Sequence, residues 1–300
     1  MENTNEKSPW LVVLLVLVGS GVGMVFGSGL GGFIGMQLYA GEGTFFEAIT
    51  HPTDAVRVPM LVVQAVTALF GLVIMPGLVW WRVRQQPVSA FFTTRTAGSV
   101  ALVVTVAVIA FAIVDSAIIQ WNKNIALPDF LHDFEAWAQA KELQLERLTK
   151  VLVNFASPGE FMLGLLVIAL LAGVTEEFFF RGLIQTELTR AVQNPHVAIW
   201  ISAIAFSAVH MQFYGFVPRM LLGALFGYLY FWSGNLWVPI LAHAVNNAFA
   251  LVLVYVSQQH ELPLDVENEA APWPVIIVFL VLTVILIRRL YHTFQPATRD

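Results

Sequence analysis

Residues 161–186 read FMLGLLVIALLAGVTEEFFFRGLIQT, an apolar run broken only by Glu176, Glu177 and Arg181 among its charged residues. The run exceeds the roughly 20 residues that carry a helix across a bilayer. Ionisable side chains inside such a segment are costly and mark function by default. This stretch therefore sets the fold as helical and membrane-spanning, and it poses the question of what its carboxylates are for.

Working outward, further apolar runs lie near 10–38, 58–81, 97–119, 197–213, 216–233, 236–257 and 273–291. The chain has 300 residues, 58% hydrophobic and only 12% charged, against roughly half and about a quarter in an ordinary globular domain. Those proportions exclude a soluble enzyme. The expected fold is an all-α, polytopic helical membrane protein with about eight transmembrane helices. Between the third and fourth runs, Phe130, Phe134, Trp137, Leu145, Leu148, Leu152 and Phe155 recur at helical spacing, which predicts an amphipathic helix over 129–155 lying in the membrane interface.

Charge excludes a second class. Lys+Arg number 15 against 20 Asp+Glu, with no basic cluster larger than a pair, so no nucleic-acid partner is expected. Cysteine is absent, which removes disulfides, thiolate zinc sites and a cysteine nucleophile together. Arg82, Arg84 and Arg95, then Arg190, then Arg288, Arg289 and Arg299 fall on one side of the span ladder. That side is expected to be cytoplasmic, with both termini inside, in the plasma (inner) membrane. Only Lys7 precedes the first run as a basic residue and no convincing cleavage site follows it, so the first span is expected to be retained. No internal repeat of 20–50 residues is visible, which gives an inverted-repeat transporter no support.

Several motifs dissolve on inspection. Gly27, Gly29 and Gly32 have dinucleotide-loop spacing but follow no strand. Gly19, Gly23, Gly27, Gly31 and Gly35 instead form an unbroken four-residue period, a bare helix face for close packing within the chain or for homo- or hetero-association. His260-Glu261 resembles the start of a zinc helix, but Leu264 stands where the second histidine is required. Asp115 is expected at the outer end of the third span, at the interface rather than in chemistry. Neither Ser20 nor Ser28 has the glycine that a membrane serine protease motif places two positions before it.

The remaining polar residues within spans are harder to dismiss. Glu177 and Arg181 stand at i, i+4 with the acid first, the favourable order for an ion pair on one helix face, while Glu176 points about 100° away. A carboxylate without a local partner is a general-base candidate. Phe206 and His210 share one face at i, i+4, as do His243 and Asn247. A carboxylate, two imidazoles and an amide on three spans are the parts needed to activate water and hold an oxyanion.

Glu176-Glu177-x-x-x-Arg181, Phe206-x-x-x-His210 and His243-x-x-x-Asn247, in that order, resemble the CPBP family of intramembrane proteases, also called the Abi or CAAX-protease-like family. The resemblance covers roughly 160–250 and includes Gly223, Gly227, Tyr228 and Pro239. It implies an intramembrane endopeptidase in which Glu176 with His210 activates water, His243 with Asn247 stabilises the oxyanion, and Glu177 and Arg181 give support. It also implies a peptide or membrane-protein substrate in the lipid bilayer. With the apolar runs, it divides the chain into three expected regions: 1–157 with three spans and the amphipathic helix, a CPBP-like catalytic core over 158–257, and 258–300 with an external loop, the last span and the tail. Glu176, His210 and His243 could in principle form a two-histidine, one-carboxylate zinc site. The metal-free reading, with no cofactor, is preferred because a metal would make the roles of His243 and Asn247 redundant. A proton-coupled carrier and a non-catalytic membrane scaffold are the readings from other classes. A polar cavity is expected between spans four, five and seven, open to the cytoplasmic side.

Overall fold

A computed structural model describes residues 7–92, 97–260 and 270–294. Arg95, Arg299 and the acidic residues Glu261, Asp265, Glu267 and Glu269 of the expected external loop lie outside the described residues. The long helices are α1 (Pro9–Leu38), α2 (Asp54–Arg84), α3 (Gly98–Lys123), α4 (His132–Val153), α5 (Pro158–Val192), α6 (Pro195–Ala208), α7 (Phe216–Ser233), α8 (Trp237–His260) and α9 (Trp273–Phe294). Apart from one isolated bridge between Phe92 and Asn235, the described residues contain no β-structure. The fold is a polytopic all-helical membrane protein.

Each of the eight apolar runs forms a helix, but six are long and apolar enough to cross a membrane: α1, α2, α3, α5, α8 and α9. The 14 residues of α6 rise only about 21 Å at 1.5 Å per residue, short of the ~30 Å hydrocarbon core. Arg219 and its neighbours dilute the apolar character of the 18-residue α7. The expected count of eight full crossings therefore stays open, with α6 and α7 as the two in question. The outward faces carry Leu14, Val25, Phe33, Leu102, Ile277 and Ile285 exposed, the surface a lipid solvent requires.

Local sequence sets the helix ends. Asn194 caps α6 by accepting from the amides of His196 and Val197, with Pro195 in the first turn. Ser157 caps α5 by accepting from the Glu160 amide, with Pro158 following. At the other ends Gln85, Gln193 and Gly234 take left-handed conformations that stop α2, α5 and α7.

The glycine period of α1 is buried against α2. A Cβ at Gly23 would stand 2.2 Å from the Phe70 carbonyl oxygen, and one at Gly27 would stand 2.9 Å from Thr67 Cα. The two backbones therefore touch, as small-residue faces permit, and this face is spent within the chain. Helix α4 forms as the periodicity predicts. Its later apolar residues Leu148 and Leu152 pack inward, whereas Phe130 just before it and Phe134 and Trp137 within it are exposed.

Helix α5 is not uniform. Leu165–Leu171 and Phe178–Gln185 widen to π geometry, flanking an α-helical segment Ala172–Glu177 that carries the paired carboxylates. Widened turns change which carbonyls are bonded within the helix, and they recur at functional sites.

Candidate active site

The second widened stretch is held from outside. Arg181 Nη2 donates to the Gly223 carbonyl at 2.9 Å and Gln185 Nε2 to the Gly227 carbonyl at 3.0 Å, two rungs between α5 and α7. Gly223 also lets α7 approach, since a Cβ there would meet Phe206 at 3.1 Å and Ala203 Cα at 3.3 Å. The Phe206 ring sits beneath the Arg181 guanidinium, 4.7 Å from its centroid to Cζ, and packs edge-on against both His210 and His243. The aromatic in Phe206-x-x-x-His210 is thus a wedge that spaces two imidazoles and supports the arginine.

The carboxylates divide their work. Glu177 is fully buried; its Oε1 accepts from His243 Nδ1 at 2.8 Å and forms an ion pair with Arg181 Nη1, 3.0 Å away but outside hydrogen-bond geometry. The ion pair expected from spacing is present, and it carries a second partner that spacing could not reveal. Glu176 keeps 22% of its side-chain surface exposed and faces His243 Nε2 at 3.8 Å, too long for a hydrogen bond, so a water that joined them would sit to one side of the pair, in the adjoining cavity. His243 therefore stands between the two, oriented by Glu177 through Nδ1 and presenting Nε2 to Glu176.

His210 is fixed differently. Its Nδ1 lies 2.8 Å from the Phe206 carbonyl oxygen. A carbonyl only accepts, so Nδ1 carries the proton and neutral His210 presents Nε2 as an acceptor. No direct contact joins Glu176 to His210 among the described residues; they share a cavity of about 320 Å³ that also receives His243, Asn246 and Asn247. Asn247 Nδ2 donates to the Ile168 carbonyl at 3.0 Å, in the first widened stretch of α5, and Asn246 donates to Asn247 Oδ1 at 3.3 Å. Asn247 thus has one amide hydrogen committed to α5.

The cavity is broader than expected. Besides α5, α8 and the residues after α6, it is lined by α3 through Asp115 and Lys123, by Glu142 of α4, and by Arg219 of α7. Its lining includes exposed Lys123, at the end of α3. His210 enters it from just after the last turn of α6.

Asp115 needs correction too. It is 3% exposed, faces the cavity, and its Oδ1 meets no hydrogen-bond partner among the described residues. Helix α3 continues eight residues past it, to Lys123, so it is not at a span end. Arg219, Gln212 and Glu142 were missed altogether, although a signal existed: Arg219 is the only charged residue between Phe216 and Ser233. Among the described residues no three His, Asp or Glu side chains are grouped so as to hold one metal ion.

Residues 158–249 match the family described as type II CAAX prenyl endopeptidase Rce1-like. A stretch of 88 residues is 31% identical to "Uncharacterized protein YpbD" of Bacillus subtilis (strain 168), covering 28% of this chain and 42% of that protein. Another of 91 residues is 29% identical to "Membrane-embedded CAAX protease MroQ" of Staphylococcus aureus (strain USA300), covering 28% of this chain and 36% of that protein. The likeness thus spans about two fifths of the length of these relatives. No solved structure matches the chain.

Proposed function

We propose that the chain, whose residues 158–249 match the Rce1-like family model, is an intramembrane endopeptidase of the CPBP family, with Glu176 as the general base. The observation that carries this reading is that Glu176 and His243, 3.8 Å apart and not hydrogen-bonded to each other, line one polar cavity together with His210. A water in that cavity beside Glu176 faces a carboxylate ready to take its proton, with His210 Nε2 as a second acceptor. Water oxygen attacks the scissile carbonyl while Glu176 takes the water proton. The oxyanion is held by an amide hydrogen from the Asn246–Asn247 pair and by the Nε2–H of His243 in its doubly protonated form, whose Nδ1–H stays on Glu177. Glu176 then returns the proton to the leaving nitrogen as the C–N bond breaks. Glu177 and Arg181 hold His243 in register and do not touch the substrate.

The mechanism needs no metal, and a chelator is expected to leave cleavage intact. Activity lost to a chelator and restored by zinc would replace it with metal-assisted hydrolysis at Glu176 and the two histidines. The substrate is a membrane-associated peptide or membrane protein. The arginines at 82, 84 and 190 support a cytoplasmic location for that end of the bundle, with both termini inside and the chain in the plasma (inner) membrane. Because the sequence has no cysteine, a single cysteine at Gln85 reports this directly: labelling only after permeabilisation supports it, and labelling of intact cells overturns it.

The test of activity compares membrane-protein termini in cells expressing the wild-type chain or Glu176→Ala at matched levels. Termini that disappear with the substitution identify the substrate. Identical termini from two folded proteins would favour a carrier or scaffold.

A further inference from the structure

Four arginines are drawn into the interior, and three of them hold carboxylates. Arg57 pairs with Asp54 and Glu160, Arg84 with Glu187, and Arg181 with Glu177. Arg219 is the exception. Its Nη2 donates to the Gln212 side-chain oxygen at 2.7 Å, and among the described residues it has no carboxylate within salt-bridge distance. Its Nη1 is buried and meets no hydrogen-bond partner there. A buried guanidinium N–H left unpaired is a standing cost to the fold.

The surroundings hold this unpaired donor in place. Gln212, which accepts from Arg219, donates its own amide to Glu142 of α4 at 3.2 Å, so the fork is braced from two elements. Gly215 supplies the space: a Cβ there would stand 3.2 Å from Nη2 and 3.5 Å from Nη1. The guanidinium thus lies where any other residue at 215 would put its side chain. It lines the cavity that holds Glu176, His210 and His243.

We propose that Arg219 anchors a carboxylate of the bound peptide, so that the cavity selects substrates carrying a negative charge near the scissile bond. A planar fork with an unspent N–H is suited to a carboxylate, and the pairing supplies direction as well as energy. The carboxylate has two sources, an Asp or Glu side chain or the free end of the peptide chain. This specificity rests on the protease reading for its meaning, but its test does not require cleavage.

The full chain carrying Glu176→Gln, in lipid nanodiscs, is incubated with a synthetic library of apolar decapeptides. Each peptide is present as free acid and as amide, and with Asp or Asn at each internal position. Retained peptides are counted by mass spectrometry. Acid forms should be retained over their neutral partners by about 10- to 100-fold, the worth of one charge-assisted hydrogen bond. The preference should vanish when Arg219→Gln is added and survive in part with Arg219→Lys, which keeps charge without the fork. Loss confined to the acid/amide pairs identifies the chain terminus as the source; loss confined to the Asp/Asn pairs identifies a side chain. Gly215→Ala, which crowds the guanidinium without removing it, should weaken the same preference and guards against misfolding of Arg219→Gln. Equal retention of acid and neutral forms, or a preference that survives Arg219→Gln, overturns the proposal. Failure of the hydrolytic reading would show separately, as termini unchanged by Glu176→Ala.

Discussion

Helix α5 carries two buried glutamate clusters, and their contrast separates structure from chemistry. Near its C-terminal end Glu187 is fully buried and surrounded: Trp80 Nε1, Arg84 Nε and Arg190 Nη1 reach its Oε1 at 2.9, 3.0 and 2.9 Å, and Arg84 Nη2 holds its Oε2. Arg84 also donates to the Lys7 carbonyl at 3.0 Å, tying the start of α1 to the ends of α2 and α5. Both carboxylate oxygens are used, and Glu187 does not line the cavity that Glu176 faces. At the middle of the same helix, Glu177 is equally buried but its Oε2 and Arg181 Nε and Nη1 lack hydrogen-bond partners among the described residues, and Glu176 beside them looks into open space. A buried charge alone is therefore poor evidence of catalysis. The discriminating features are unspent polar atoms and room for a substrate.

Breaking each cluster should have different consequences. The largest effect is expected from Glu176→Ala: loss of about 10³-fold or more in kcat on a substrate identified from the termini, with an unchanged melting midpoint. Glu187→Ala should do the reverse. It strands Arg84 in the interior and should cost about 3–5 kcal/mol of stability, read as a lower denaturation midpoint, while kcat per folded molecule is retained. Glu177→Gln sharpens the contrast, because it keeps the shape but removes the charge that orients His243. A fall in kcat of about 10- to 100-fold is expected, the worth of one charge-assisted hydrogen bond, with little change in KM. The smallest effect belongs to Gly23→Ala, remote from both clusters. Its methyl would meet the Phe70 carbonyl, so overpacking should cost about 1–3 kcal/mol and leave kcat unchanged.

Much of this was legible in the sequence because helical periodicity is local. Apolar runs gave the helices, six of them long and apolar enough to span among the described residues, and i, i+4 spacing gave the Glu177–Arg181 pair and the shared faces of Phe206 with His210 and His243 with Asn247. What one helix cannot report is its neighbour. The His243–Glu177 bond crosses from α8 to α5, and the Glu187 cluster draws Trp80 and Arg84 from α2, more than a hundred positions away. Arg84 looked like a topology signal and is also a buried structural partner. Asp115 was misplaced because a lone aspartate near the end of an apolar run looks interfacial, whereas α3 extends to Lys123. The widened turns of α5 left no mark in residue spacing, yet they contain the Ile168 carbonyl that holds Asn247.

The most direct test pairs the two isosteric variants Glu176→Gln and Glu187→Gln in otherwise identical cells, with membrane-protein termini counted per folded molecule. The account predicts that termini made by the wild-type chain are lost with Glu176→Gln and kept with Glu187→Gln. Loss of the same termini in both variants, or in neither, would contradict it.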